Sequence, residues 1–135
     1  GKITYHGPGQ IILYLLVDLR RASLKVKDLV YMTEESVINF LSPHSIIAHR
    51  RPSMPGVYVE NIKIASIGYR IRHGRSYHGL SINYSMDMSP FSLIDVCGYA
   101  DITATDLRSL GLTISSEQVC EELVAAMKQL LGYSS

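Results

Sequence analysis

Short apolar runs between turn-forming residues fill the first two thirds of the chain, and this pattern predicts β-strands. The run at residues 10–17 is almost continuously apolar, as in a strand that is buried on both faces. His73-Gly74 predicts a tight turn that joins its flanking strands as a hairpin. The predicted strands cover residues 2–5, 10–17, 45–49, 57–59, 62–71 and 76–84.

Helical spacing appears in three places. From Lys27 onward, apolar residues recur on one side of a helix that must end before Pro43: Leu29, Val30, Val37, Ile38 and Leu41. Residues 106–110 predict a short helix that Gly111 ends. Ser115 and Gln118 form a capping-box pattern before a C-terminal apolar stripe: Val119, Leu123, Val124, Met127, Leu130 and Leu131. Hairpin strands mixed with a few helices predict an α+β fold.

Length and composition restrict the possible classes of protein. A chain of 135 residues with 47% apolar and 19% charged residues is a globular domain, which excludes a disordered or collagen-like chain. Thirteen Lys and Arg against twelve Asp and Glu give a net charge of +1, which argues against nucleic-acid binding. The longest apolar run is far shorter than the roughly 20 residues of a membrane helix, so no membrane partner is expected. Two cysteines without a disulfide framework favour a reducing compartment.

Two residues have both a catalytic and a structural interpretation. Cys97 precedes Gly98 in an irregular segment, where an unobstructed backbone N–H suits a nucleophile, although buried inert cysteines are common. Lys63 lies among apolar residues after a predicted turn. Strand alternation directs it to solvent, whereas the functional alternative is a lysine beside a cavity that holds an anion or relays a proton.

The remaining cysteine and the histidines predict less chemistry. Cys120 lies beside the apolar stripe of the C-terminal helix and is expected to be a small core or boundary residue. The five histidines lack the spacing of a metal-binding helix and have no CxxC pair beside them, so neither a metal nor a cofactor is expected. They are His6, His44, His49, His73 and His78.

Five ordered blocks over nearly the whole chain resemble the lipoyl (octanoyl) transferase family. They are Thr4-Tyr5-His6-Gly7-Pro8-Gly9-Gln10 with Tyr14, Gly56-Val57-Tyr58, Lys63-Ile64-Ala65-Ser66-Ile67-Gly68, His78-Gly79-Leu80 with Asn83, and Cys97-Gly98-Tyr99. The resemblance implies the α+β catalytic domain (two layers, α/β) shared with biotin and lipoate protein ligases, with a mixed sheet and flanking helices. Residues 1–135 are then a single catalytic domain that lacks its N-terminal part.

The family's reaction moves an octanoyl group from acyl carrier protein to a lysine of a lipoyl domain. By the resemblance, Cys97 is the acyl-thioester nucleophile, and Lys63 is the lysine that lowers the pKa of its thiol. The family's substrate-binding stretches fall on Gly1, Lys2, Ile3, Thr4, Tyr5, His6, Ser66, Ile67, Gly68, His78, Gly79, Leu80 and Ser81. His6 and His78 are candidates to shape the pocket or orient the acyl carbonyl.

The resemblance also implies the partners. The donor is acyl carrier protein, and the acceptors are lipoyl domains of 2-oxoacid dehydrogenases and the glycine cleavage H protein. The compartment is the bacterial cytoplasm, or the mitochondrial matrix in a eukaryote. Two alternatives stay open: a binding module for the carrier or lipoyl domain without turnover, and an ATP-dependent lipoate or biotin ligase that activates its acid as an adenylate.

Overall fold

A computed structural model describes residues 9–85 and 105–132, together with the backbone of residues 2–5. The strands are β1 (Lys2–Tyr5), β2 (Gln10–Tyr14), β3 (His49–Arg51), β4 (Met54–Val59), β5 (Ile62–Arg72) and β6 (Arg75–Asn83). The helices are α1 (Leu19–Ala22), α2 (Val26–Leu41) and α3 (Ser116–Leu131), with a 3-10 turn at Ser42–His44.

The six strands form one sheet in the order β1-β2-β6-β5-β4-β3. Every pairing between these strands is antiparallel, where a mixed sheet was expected. The predicted hairpin is confirmed: β5 and β6 pair along their length, and His73 and Gly74 both have left-handed φ values, 52° and 76°. Two successive left-handed residues give the turn the twist that antiparallel strands require.

The sheet has two different faces. On one, which we call the helix face, Ile11, Leu13, Leu80 and Ile82 join a core that includes residues of α2 and α3. The intervening side chains of β2 are only half-buried, and Leu16 beyond its end is 67% exposed. The prediction that residues 10–17 are buried on both faces is therefore wrong. Alternation places the other side chains on the opposite surface, which we call the open face.

Helix α2 matches its prediction closely. It begins where the backbone N–H of Lys25 donates to the carboxylate of Asp28 (2.9 Å), and it ends before Pro43. Beyond it, Ser45 is left-handed and the N–H of Ile46 donates to the carbonyl of Leu41 (3.2 Å). Residues 45 and 46, which were predicted to begin a strand over residues 45–49, therefore cap α2 instead. Only His49, the last residue of that prediction, is in a strand, since β3 begins there.

Helix α3 is also as predicted. The hydroxyl of Ser115 accepts the N–H of Gln118 (3.1 Å), and Val119, Leu123 and Met127 are buried against the core. The helix predicted at residues 106–110 is instead a turn in which Asp106 accepts the N–H of Ser109 (2.7 Å). So short a segment gains too few helical hydrogen bonds to offset the cost of nucleation.

Helix α2 lies against β4 and β5 on the helix face. The hydroxyls of Tyr69 on β5 and Thr33 on α2 are hydrogen-bonded at 2.5 Å. Burial raises the pKa of Tyr69 to about 12, so this hydroxyl remains protonated and the bond persists across the physiological pH range. The contact fixes one side of β5, and the alternate residues of that strand therefore point to the open face.

Candidate functional site

A groove of about 220 Å³ lies on the open face where β2, β6 and β5 run side by side. Strand register builds it from two rows of residues across the three strands. Ile12, Ser81 and Ser66 form the first row, and Tyr14, Gly79 and Gly68 form the second. His78 and Leu80 complete the lining. Residues from two of the sequence blocks therefore meet across one pair of strands.

The second row contains two glycines, and the structure restricts substitution at the two positions differently. A Cβ on Gly79 would lie 2.4 Å from the carbonyl oxygen of Leu13, and its φ of +154° belongs to the region that favours glycine. A Cβ on Gly68 would meet no atom of residues 9–85 or 105–132 within 4 Å. The fold thus requires glycine at position 79, whereas position 68 tolerates a side chain. Glycine at position 68 leaves this part of the groove without a side chain.

His78 stands at the margin of the groove with a positive φ, which is uncommon for a non-glycine residue. Its φ is +63°, and its ring lies 4.9 Å from that of Tyr77 and 6.2 Å from that of Tyr14, measured between centroids. The side chain is exposed and lines the groove. A non-glycine residue held at positive φ is a strained feature of the kind that clusters at binding sites.

Only some of the other predicted site residues line the groove. Ser66, Gly68, Gly79, Leu80 and Ser81 line the groove. Ile67 does not, because it packs against the core on the helix face. The backbones of Lys2, Ile3, Thr4 and Tyr5 pair with β2, which places β1 beside the strand that carries Ile12 and Tyr14. Gly1, His6 and Cys97 lie outside the described residues.

Ile12 and Tyr14 are lining residues that the sequence interpretation did not include in the site. The signal for them is the alternation of β2, since residues 12, 14 and 16 share a face that the core residues 11, 13 and 15 do not. An almost continuous apolar run concealed that alternation, because two of the open-face residues are themselves apolar.

Lys63, the second residue of β5, lies opposite Tyr58 at a bulge that leaves both Ile64 and Ala65 buried. Its side chain is half-buried, and its Nζ lies 5.9 Å from the ring centroid of Tyr58. Within residues 9–85 and 105–132, no carboxylate forms an ion pair with it. The ammonium thus lies over an aromatic ring, and no carboxylate of the described residues forms an ion pair with it.

Basic side chains lie at the end of the open face beyond the groove. Arg70 and Arg72 follow Gly68 on the same side of β5, and Arg75 pairs with Arg72 across the hairpin. Arg20 of α1 joins them, since its Nε would lie 3.0 Å from a Cβ on Gly74. We call Arg20, Arg70, Arg72 and Arg75 the basic edge. In the described part of the chain none of the four has an ion-pair partner.

The described residues contain no cluster of three or more His, Cys, Asp or Glu side chains that could hold a metal ion. They also include no helix long and apolar enough to cross a bilayer.

Family comparison identifies the class of domain to which this fold and groove belong. Residues 1–128 match the lipoyl protein ligase A/B catalytic domain, and the chain belongs to that family. Curated relatives named octanoyltransferase come from Psychromonas ingrahamii (48% identical over 99% of this chain) and Nitrosococcus oceani (49% over 100%). The chain spans 62% and 60% of their lengths. The resemblance drawn from the five sequence blocks is confirmed.

Solved structures show the same fold at low identity. The biotin protein ligase from Aquifex aeolicus aligns over 92% of this chain and 53% of its own, with a TM-score of 0.75 and 17% identity. Lipoate-protein ligase A bound with ATP aligns over 95% of this chain and 54% of its own, with a TM-score of 0.71 and 16% identity. The expected α+β fold of biotin and lipoate protein ligases is confirmed.

Proposed function

We propose that this chain is an acyltransferase domain that moves an octanoyl group from acyl carrier protein to a lysine of a lipoyl domain. The acyl group passes through a thioester on Cys97. The observation that carries the proposal is the groove, in which the paired Gly68 and Gly79 lie beside Tyr14 and leave that row without further side chains. The octanoyltransferase relatives support the same reaction.

The groove suits an eight-carbon chain in size and polarity. A cavity of about 150 Å³ accommodates benzene, so a groove of 220 Å³ has room for an octanoyl tail. At about 0.8 kcal/mol for each buried CH₂, full burial of the roughly six CH₂ groups of the tail contributes up to about 5 kcal/mol. That energy is enough for the groove to distinguish long acyl chains from short ones.

The proposed chemistry balances without an energy source. The Cys97 thiolate attacks the donor thioester, the new C–S bond forms, and the carrier thiolate leaves and takes up a proton. The acceptor lysine then attacks as a free amine, so that an amide forms, Cys97 is released and one proton is lost. A lysine ammonium without a carboxylate partner favours the thiolate form of a nearby cysteine. This is the role we propose for Lys63.

Mass spectrometry of the intermediate tests the proposal directly. After incubation with octanoyl-carrier protein and no ATP, we expect an adduct of octanoyl mass on the peptide that contains Cys97. Addition of a lipoyl domain should then transfer that mass to the acceptor lysine. Binding of both partners with no adduct would favour a module without turnover, and an absolute requirement for ATP would favour a ligase.

The basic edge is the proposed docking surface for the acidic donor. Arg70 lies two residues beyond Gly68 on the same face, a separation of about 7 Å along the strand, so a carrier docked here is adjacent to the groove. The exposed charges of the basic edge attract an acidic partner over a range of about 8–10 Å at physiological salt. They should accelerate encounter more than they tighten the final complex.

Reversing two of these charges should impair the protein donor selectively. Arg70→Glu with Arg72→Glu is expected to raise the apparent KM for octanoyl-carrier protein about tenfold at low salt. The rate with a small octanoyl thioester should stay near that of the parent chain. Lys25→Glu with Lys27→Glu produces the same change of net charge at the start of α2 and serves as the control. Equal loss with both donors would show that the arginines support the fold.

The acceptor and the compartment complete the proposal. We assign lipoyl domains of 2-oxoacid dehydrogenases and the glycine cleavage H protein as acceptors. Because the octanoyltransferases compared above come from bacteria, we assign the reaction to the bacterial cytoplasm.

A further inference from the structure

A buried carboxylate on α2 connects this helix to β4, the strand that pairs with β5 at Lys63. Glu34 is only 7% exposed, and both of its carboxylate oxygens are used. Oε1 accepts a hydrogen bond from Nε of Arg50 (3.1 Å), and Oε2 accepts one from the backbone N–H of Gly56 on β4 (3.0 Å). A carboxylate this deeply buried is costly unless it is paired and hydrogen-bonded, and these two donors meet that requirement.

Gly56 in turn supports the side chain of Lys63. A Cβ at position 56 would lie 2.7 Å from Cε of Lys63 and 2.8 Å from the carbonyl oxygen of Ala65. The φ of Gly56 is +137°, a conformation that other residues rarely adopt. The methylene groups of Lys63 therefore rest on bare backbone, and the N–H of that backbone donates to Glu34.

The carboxylate of Glu34 is paired with an arginine and not with Lys63. Glu34 forms its ion pair with Arg50, whose guanidinium also donates to Glu35 (2.5 Å) and to the carbonyl of Tyr31 (3.2 Å). Glu34 forms no ion pair with Lys63. The carboxylate thus fixes the support beneath the lysine without neutralising its ammonium.

We propose that Glu34 is a positioning residue for Lys63, acting through the Gly56 backbone and held in place by Arg50. The link to catalysis rests on the proposed function, since it assumes that the Lys63 ammonium acts in acyl transfer. The placement of the lysine side chain does not depend on that assumption. The two parts can therefore be tested separately.

Competitive acetylation of the lysines measures placement without any turnover. The chain is labelled with limiting acetic anhydride across a pH series, and the rate at Lys63 is divided by the rate at Lys128 on α3. Glu34→Ala should change this ratio by about threefold or more, because the reactivity of a lysine is sensitive to its surroundings. Glu34→Gln keeps an oxygen acceptor for Gly56 and should recover most of the parent ratio.

Glu35→Ala is the matched control, since it removes a carboxylate from the same helix and from the same arginine but has no contact with Gly56. Its labelling ratio should equal that of the parent chain. Thermal unfolding of each variant identifies any that fail to fold. If Glu34→Ala does not fold, Glu34→Asp tests the same link, because its shorter side chain withdraws the carboxylate from the Gly56 N–H, and Gly56→Ala tests the contact between that backbone and Lys63. Gly111→Ala controls for strain, because Gly111 also has a positive φ (+101°) but no atom near its Cβ position.

Octanoyl transfer supplies the second measurement. Glu34→Ala should lower kcat about tenfold or more with little change in KM and should shift the pH profile, because small displacements of a catalytic group have large effects on rate. An unchanged labelling ratio in Glu34→Ala and Gly56→Ala would overturn the positioning role even if the chain transfers octanoyl groups. A changed ratio in a chain that shows no transfer would keep the positioning role and overturn the proposed function.

Discussion

Replacing Cys97 by serine should abolish octanoyl transfer, with a loss of at least about 10³-fold in kcat/KM. A serine hydroxyl has nearly the same size as the thiol but is far less acidic, so almost no nucleophilic anion exists at neutral pH. The variant should also fail to acquire the octanoyl mass that the parent chain carries. Initial rates and intact-mass spectra of the same samples measure both effects.

Cys120→Ser is the natural control, because Cys120 lies half-buried on α3 against the core. Burial raises the pKa of the Cys120 thiol, and the neighbouring charge of Glu117 raises it further, so this cysteine is a poor nucleophile. Cys120→Ser should keep transfer and cost less than about 2 kcal/mol of stability. The reverse pattern, with Cys120→Ser inactive and Cys97→Ser active, would show that the wrong cysteine has been assigned as the nucleophile.

Gly68→Val should leave the fold intact and lower the rate of octanoyl transfer. The Cβ position of Gly68 is open, and glycine inside a strand is unfavourable by roughly 0.5–1 kcal/mol relative to alanine, so Gly68→Val should fold at least as stably as the parent. Its side chain fills the groove and displaces about three or four methylene groups of an octanoyl tail. At about 0.8 kcal/mol each, this corresponds to a loss of about 100-fold in kcat/KM.

The expected substrate dependence makes this prediction specific. An acetyl or butyryl thioester does not reach as far along the groove, so Gly68→Val should lower its rate much less than that of the octanoyl thioester. Gly79→Ala should behave in the opposite way and lose stability, because its Cβ would lie 2.4 Å from the backbone of Leu13. Loss of stability in Gly68→Val, or equal loss with short and long acyl groups, would contradict the assignment of the groove to the acyl tail.

The sequence interpretation of this site remains a prediction, and the structure shows how its residues are arranged. The blocks at residues 63–68 and 78–80 indicated most of the groove, and the structure unites them through the pairing of Gly68 with Gly79. The sequence blocks do not show that Ile67 points away from the groove, or that Ile12 and Tyr14 point into it. Sequence order alone does not reveal which face of a strand is covered by helices.

Glu34 illustrates the same limit. In the sequence it is one acidic residue in an amphipathic helix, with nothing to distinguish it from Glu35 beside it. Its hydrogen bond to Gly56 joins residues 22 positions apart. It exists only because α2 packs across β4 and β5. Likewise, Arg20 joins the basic edge only because α1 lies against the hairpin turn at Gly74.

The amino-acid sequence alone determined the features that depend on near neighbours. The bounds of α2 and α3, the cap at Ser115 and the hairpin turn at His73-Gly74 follow from side-chain period and backbone preference within a few residues. The tertiary structure decided which face of β2 is buried, that residues 45–49 serve mainly to cap α2, and which side chains meet in the groove. Those outcomes depend on strand register and helix packing between distant segments, and a shift of one residue in register would turn every side chain to the other face.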